Sequence, residues 1–375
     1  MLLTEEVIFM IIICNKQKLQ DGISICQKAI TGKSTMPILE GIYMNATKEG
    51  ITLVGSDIDV CIETKVDADV LEEGKVVIDS KIFGEIIRKL PNSDVRIEII
   101  QDDTVQITCE KSVFNVVFMN ADEFPSIPKL DIAKELKVPQ NILKNMIKST
   151  SFAIAQDETR PILQGILFEV KEKKLNLVAL DGYRMAIKTE YLDNDFDIEV
   201  VIPGKTLNEV SKILEDVESI VNITFTNNHI LFNLGETKII SRLLEGKYVN
   251  YLSLLPQEHK LLINVNRQEL QNGIERASLM AKEGNSNLVK LEMNEESIII
   301  TSNSQLGKVR EEVTANMQGE QIQIAFNSRY IIDVLKNMED DNVQIEMTSS
   351  VSPCVIKGKE AESYKYLVLP VRLIR

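Results

Sequence analysis

Residues 36–41 read MPILEG and residues 160–165 read RPILQG, so Pro37 and Gly41 recur as Pro161 and Gly165 at a spacing of 124. The same spacing carries Leu53 and Asp57 of LVGSD onto Leu177 and Asp181 of LVALD, Lys81 onto Lys205, Leu90 onto Leu214, and Phe124 onto Tyr248. An offset held this constant means a duplicated domain with almost no net insertion. A fainter third copy follows. Leu19, Ile23 and Cys26 match Leu143, Ile147 and Thr150, then Leu270, Ile274 and Ala277. Their i, i+4, i+7 spacing is the apolar stripe of an amphipathic helix. IIITSNS at Ile298–Ser304 continues the LVGSD and LVALD series, and the helix starting at Lys205 has its counterpart near Arg329.

Boundaries therefore fall near Lys134 and Leu261, giving domains 1–133, 134–260 and 261–375. Nothing between them is rich enough in Gly, Ser or Pro for a flexible linker, so sheets are expected to continue across the junctions. Each copy reads as a strand, a helix of about four turns, alternating strands, a short helix and more strands. In the first copy the helices are expected at Lys16–Ile30 and Lys81–Leu90, with turns at Glu49-Gly50 and Asp102-Asp103. Many strands and few helices in fixed order indicate an α+β class with antiparallel sheets. Three tandem copies, each burying its edges on the next, suggest a ring or arc.

At 375 residues, 44% of them hydrophobic, the chain is too long for a single core to be the default. Its 56 carboxylates against 42 Lys and Arg give a net charge of −14, which at face value argues against nonspecific binding to polyanions. Two histidines, His229 and His259, leave little for a histidine-rich metal cluster, so neither a metal nor a cofactor is expected. The five cysteines are scattered without a CxxC pair, as in a reducing cytosol, and read as small core residues. The apolar run Val7–Cys14 is about half a membrane span and follows Glu5 and Glu6, so it reads as a strand and not as a leader or an anchor.

Charge is segregated. The expected helices Lys16–Ile30, Lys81–Leu90, Pro139–Ala155, Lys205–Leu214, Asn266–Glu283 and Ser328–Met338 carry +2, +2, +2, +1, 0 and +1, leaving about −22 for everything else. An acidic protein can thus still present basic helices to phosphates. Candidate phosphate contacts are Lys33, Lys81, Arg88, Lys144, Lys148, Lys205, Lys212, Arg276 and Lys282. No motif for reading base edges accompanies them, so binding would be independent of DNA sequence.

The stretches RPILQGILFEV, LVALDGYRMAIK, VIPGKTLNEVSKIL, ISRLLEGKY, TSNSQLGKVREEV and YLVLPVR, in that order, resemble the bacterial sliding clamp family, the beta subunit of DNA polymerase III. The resemblance runs from about Met10 to Arg375 and implies that Met1–Phe9 are an extension or a mis-assigned start. It implies a head-to-tail homodimer, a ring of six domains with sheets outside and helices lining a hole for duplex DNA. Lys33, Lys81 and Lys205 match positions where the family carries basic residues near DNA; the other candidates rest on helix position alone. The resemblance also gathers Leu163, Met185, Leu254, Leu367, Leu369, Val371 and Leu373 around one surface cleft. Arg184 and Arg372 would rim it, Gly182 and Tyr183 form its turn, Pro370 lies in the tail, and Val249 and Cys354 complete the set. Such a groove suits a short peptide with Leu or Phe anchors. Val249 stands where the family commonly has Pro, and Ser253 where some relatives have Arg. The implied partners are double-stranded DNA, a second copy, a clamp loader, replicative and repair DNA polymerases, mismatch-repair proteins and ligase, in the cytoplasm and away from membranes.

Two rival classes remain. An enzyme would use Asp57 and Asp181 with Arg184, yet these carboxylates belong to separate copies and lack a nucleophile or phosphate loop. GKTLN at Gly204 resembles the end of a P-loop, but Glu199 stands where its first glycine should be. The other rival is a monomeric peptide-binding scaffold that does not encircle DNA, against which the helix charge argues.

Overall fold

The computed structural model describes residues 10–30, 32, 34–101, 103–128, 134–283, 287–358 and 363–372. The first copy runs β1 (Ile11–Asn15), α1 (Lys16–Cys26), β2 (Gly41–Thr47), β3 (Gly50–Ser56), β4 (Val60–Val66), a short β5 (Asp69–Glu72), β6 (Gly74–Asp79), α2 (Ser80–Lys89), β7 (Asp94–Gln101), β8 (Thr104–Cys109) and β9 (Ser112–Met119). The second runs β10 (Lys134–Pro139), α3 (Gln140–Ser151), β11 (Gly165–Lys171), β12 (Lys174–Leu180), β13 (Arg184–Tyr191), β14 (Ile198–Pro203), α4 (Gly204–Ile213), β15 (Ile220–Phe225), β16 (His229–Asn233) and β17 (Thr237–Arg242). The third runs β18 (Leu261–Asn266), α5 (Arg267–Glu283), β19 (Leu288–Met293), β20 (Ser297–Ser304), β21 (Gly307–Gln318), β22 (Ile322–Asn327), α6 (Ser328–Lys336), β23 (Asn342–Met347), β24 (Cys354–Gly358) and β25 (Tyr364–Val368).

The strand-to-helix joints repeat with the sequence. Asn15 Oδ1 accepts the Gln17 and Lys18 amides at 3.0 and 3.3 Å, Asp79 Oδ1 accepts that of Ile82 at 2.8 Å, and Asn266 and Asn327 cap α5 and α6 in the same way. Each cap satisfies an amide that the first helical turn would otherwise leave unpaired. In the second copy Pro139 and Pro203 stand at these joints instead, just before α3 and α4. The α1 stripe buries Leu19, Gly22, Ile23 and Cys26 as its periodicity predicts. A Cβ on Gly22 would lie 2.6 Å from a Val66 methyl, so glycine lets α1 lie directly on β4. The expected Lys16–Ile30 helix ends earlier, at Cys26, and passes into a 3-10 turn over Gln27–Ala29.

All strand pairs are antiparallel, and two compact units divide the chain. Met1–Asn141 with Lys212–Leu243 holds a 13-stranded sheet in the order β10-β15-β16-β17-β4-β3-β2-β6-β9-β8-β7-β1-β5. Its largest core cluster packs α1 and α2, through Leu19, Ile23, Phe83 and Ile87, on Ile12, Ile42, Leu53 and Ile97. Ile142–Ser211 with Leu244–Arg375 holds a 12-stranded sheet, β14-β11-β12-β13-β25-β24-β23-β18-β21-β20-β19-β22. The expected continuity across copies is present in both: β17 pairs with β4, and β25 pairs with β13. The second copy thus gives half its strands to each sheet.

Candidate functional site

The hairpin between β12 and β13 builds one end of a surface depression. Asp181 Oδ1 accepts the amides of Tyr183 and Arg184 at 2.9 and 3.0 Å, closing a tight turn. Gly182 takes φ +90°, a conformation that L side chains resist. Tyr183 is presented to solvent and stacks on Tyr330 of α6 with ring centroids 6.0 Å apart. Arg184 lines the depression, and its side chain is largely buried there. That side chain is only 9% exposed, held among two carboxylates, a backbone carbonyl and two aromatic rings. Nε donates to Asp181 at 3.0 Å, one terminal nitrogen to Asp333 of α6 at 2.5 Å and the other to the Phe152 carbonyl at 2.7 Å, while the rings of Tyr330 and Phe152 lie 4.7 and 5.4 Å away. Arg184 therefore fixes the turn, with three of its five N–H donors engaged within the chain.

The depression holds about 260 Å³. Buried Leu163, Leu180, Met185 and Leu367 line it together with half-exposed Val249, Leu254 and Leu369. Gly182, Tyr183, Arg184, Pro353 and Arg160 complete the lining. Leu163, Gly182, Tyr183, Arg184, Met185, Val249, Leu254, Leu367 and Leu369 are thus brought together as expected. Cys354 is not at the surface: it is 1% exposed within β24, and its neighbour Pro353 lines the wall in its place. The tail is also only partly in the depression. The Leu369 amide donates to the Tyr183 carbonyl at 2.8 Å, after which the Val371 amide donates to the Ala325 carbonyl at 2.8 Å. Pro370, Val371 and Arg372 therefore run along β22, and Leu373 lies outside the described residues. Arg160, Leu180 and Pro353 were missed. Arg160 had a visible signal, since it opens the RPILQG motif in which only Leu163 was singled out.

The basic candidates lie on helices, with Lys33 outside the described residues. Lys81 and Arg88 are exposed on α2, where Arg88 pairs with Glu85 at 2.5 Å. Lys148, Lys205 and Lys212 are exposed on α3 and α4, while Lys144 is half-buried. Arg276 on α5 pairs with Glu311 at 2.6 Å. Lys282 shares a groove of about 600 Å³ between α5 and α6 with Arg329 and Lys336, two cations that sequence reasoning passed over. Lys336 pairs there with Glu275, whose carboxyl it holds below its ordinary range.

Among the described residues, the groups the rival enzyme reading would use have structural partners. Asp57 and Asp181 do the same structural work at equivalent turns, Asp57 accepting the Val60 amide at 2.9 Å. Gly204 is packed against Ile154 and the Gln164 carbonyl and leaves no phosphate cradle. Burial pushes the Cys14 thiol up to about 11 and that of Cys61 up to about 12, so neither is a ready nucleophile. Among the described residues no three His, Cys, Asp or Glu side chains could share a metal.

Three family models match in sequence: DNA polymerase III beta subunit, N-terminal domain, over residues 10–128; its central domain over 137–250; and its C-terminal domain over 252–372. The Beta sliding clamp of Bacillus subtilis is 37% identical over 370 residues, covering 95% of this chain and 98% of its own length. That of Staphylococcus aureus is 35% identical over 356 residues, covering 92% and 94%. Among solved structures, the DNA polymerase sliding clamp of Bacillus subtilis superposes with a TM-score of 0.94 at 36% identity, covering 97% of this chain and 100% of that one. The DNA polymerase III beta subunit of Thermotoga maritima superposes with a TM-score of 0.92 at 27% identity, covering 97% and 100%.

Proposed function

The chain belongs to the DNA polymerase III beta subunit family, the bacterial sliding clamps, and from that premise we propose how its own surfaces do a clamp's work. It acts without chemistry, as a processivity factor. Three clamp domains, divided at Lys134 and Leu261, close with those of a second copy around duplex DNA and tether a polymerase through the Leu163–Met185–Leu367 cleft.

The observation that carries closure is an unused pair of strand edges. At the internal junctions β17 lies on β4 with Lys238 opposite Glu63 and Ile239 opposite Ile62, and β25 lies on β13 with Tyr366 opposite Ala186. Matching the hairpin turns Asp57–Val60, Asp181–Arg184 and Ser304–Gly307 makes β21 the third counterpart of β4 and β13. Matching the β8–β9 hairpin to the β16–β17 hairpin makes β9 the counterpart of β17. Among the described residues, β9 over 112–117 has only β8 beside it, and β21 over 307–314 has only β20. Transferring the register sets Phe114 opposite the partner's Val309, Val113 opposite the partner's Arg310, Val117 opposite the partner's Leu306, and Lys111 opposite the partner's Glu312. Phe114, Val113, Val117 and Leu306 are 40, 56, 68 and 76% exposed in the single chain, an apolar edge that pairing would cover. Because the two edges differ, the contact is head-to-tail and closes as a ring of two.

Basic residues on the helices, Lys81 and Lys205 among them, would face the DNA backbone, so contact is weak and sequence-independent while topology does the holding. The cleft takes short Leu- and Phe-bearing peptides from replicative and repair polymerases, a clamp loader, mismatch-repair proteins and ligase in turn. Loading onto nicked circular duplex followed by linearisation tests this reading. Protein retained on the circle should leave the linear form within seconds, whereas equal retention on both, with free ends, would mean that contacts and not topology hold it.

A further inference from the structure

The 3-10 turn Tyr251–Leu254 has two working sides. Leu254 lines the cleft, whereas Leu252 and Leu255 line a second groove of about 490 Å³ over β11, β12 and β13. The opposite wall of this groove is Tyr191, 66% exposed, with the Lys174 ammonium 5.2 Å from its ring; Leu252 is 57% exposed. Strand register sets Lys174 beside both Tyr191 and Lys171, and Lys365 beside Ile187, so three ammonium groups border one mixed groove whose exposed apolar side chains are Tyr191 and Leu252. Lys171 and Lys365 form no ion pair with any described residue. The groove also holds Glu169 and Glu172, but the Glu169 carboxylate already accepts the Tyr251 hydroxyl at 2.7 Å and the Asn176 amide at 2.9 Å.

Exposed Leu252 and Tyr191 thus line a groove that shares the Tyr251–Leu254 turn with the cleft, whose own exposed apolar side chains are Tyr183, Val249 and Leu254. We propose that this groove is a second docking site for the same partner chain that fills the cleft, taking an adjoining acidic stretch that carries one Leu or aromatic anchor. The inference rests on the cleft reading. Its charge logic is local: on a chain of net charge −14, an acidic stretch is repelled by most of the surface and welcomed where lysines cluster around exposed apolar area. Five extended residues span roughly 17 Å, enough to cross a single 3-10 turn. A two-part footprint would let partners that share one cleft differ in affinity through residues outside it.

Fluorescence anisotropy on the full-length protein tests this with three synthetic peptides. One carries only the Leu and Phe anchors, and the other two add five residues rich in Asp and Glu with one Phe, before or after the anchors. One extended peptide should bind about 10-fold tighter than the short one. That gain should vanish in the variants Lys171→Glu/Lys365→Glu and Leu252→Asp, while affinity for the short peptide stays unchanged in both. The proposal is overturned if neither extension gains affinity, or if the gain survives both variants. Failure of the short peptide to bind the unmodified protein would instead defeat the cleft reading, and this proposal with it.

Discussion

Replacing Phe114 with Ala should weaken the dimer far more than it weakens the folded chain. Phe114 lies outside the core cluster of its unit and is 40% exposed, so a partner strand would cover about 80 Å² of a side chain of roughly 200 Å². At about 25 cal/mol per Å² that area contributes about 2 kcal/mol per interface. A closed ring of two copies has two such interfaces, so the loss doubles to about 4 kcal/mol, roughly a 1,000-fold rise in the dimer dissociation constant. Sedimentation velocity on dye-labelled protein over a dilution series measures that constant directly. A change of less than 3-fold would refute the pairing of β9 with β21. The register has its own check, because Val116 and Gly307 should face each other as a non-hydrogen-bonded pair about 4.5 Å apart between Cα atoms, within disulfide range. A Cβ on Gly307 meets only the Met280 sulfur at an ordinary 3.7 Å, and the five native cysteines are all buried. Val116→Cys/Gly307→Cys should therefore oxidise to a species of about twice the 42.3 kDa chain, whereas cross-linking of Val116→Cys with Val309→Cys instead would mean a slipped register.

Asp333→Asn removes one of the two carboxylates that hold Arg184; it should cost about 1.5–3 kcal/mol in urea stability of the unit and weaken peptide binding about 10-fold. Asp333→Asn introduced into Arg184→Gln, which has already lost that partner, should cause little further loss, and full additivity in the double-mutant cycle would disprove coupling through that ion pair. Lys81→Glu/Lys205→Glu should impair loading onto DNA and flatten its salt dependence while leaving peptide affinity intact; lost peptide binding in a folded variant would contradict separate surfaces. Deleting residues 369–375 removes one lining side chain, Leu369, and its bond to Tyr183, so anisotropy should show about a 10-fold loss in peptide affinity with the dimer preserved. Unchanged affinity would remove the tail from the cleft.

What was legible in the sequence, and what was not, follows from how far apart the interacting residues lie along the chain. The repeat and the helices are encoded locally, by stripes such as Leu19–Ile23–Cys26 and by an offset that carries Asp57 onto Asp181, so they could be read from spacing, whereas the work of those two carboxylates as turn acceptors could not. The sheets joining one copy to the next were foreseen only as continuity, because the pairing of Ile239 with Ile62 spans 177 residues and leaves no local trace. The partners of Arg184 were hidden for the same reason. Its neighbours Gly182 and Tyr183 are surface-turn residues, and only the fold brings Asp333, 149 residues away, against its guanidinium. The tail was placed in the cleft by the resemblance, yet the Val371 amide reaches Ala325 just as the Leu244 amide reaches Val201, the residue 124 positions earlier than Ala325. That parallel was available from the repeat. The same symmetry that places the tail also assigns β9 and β21 to one another, so the ring contact and the path of the tail are two readings of one rule, and a slipped cross-link at Val116 would put both in question.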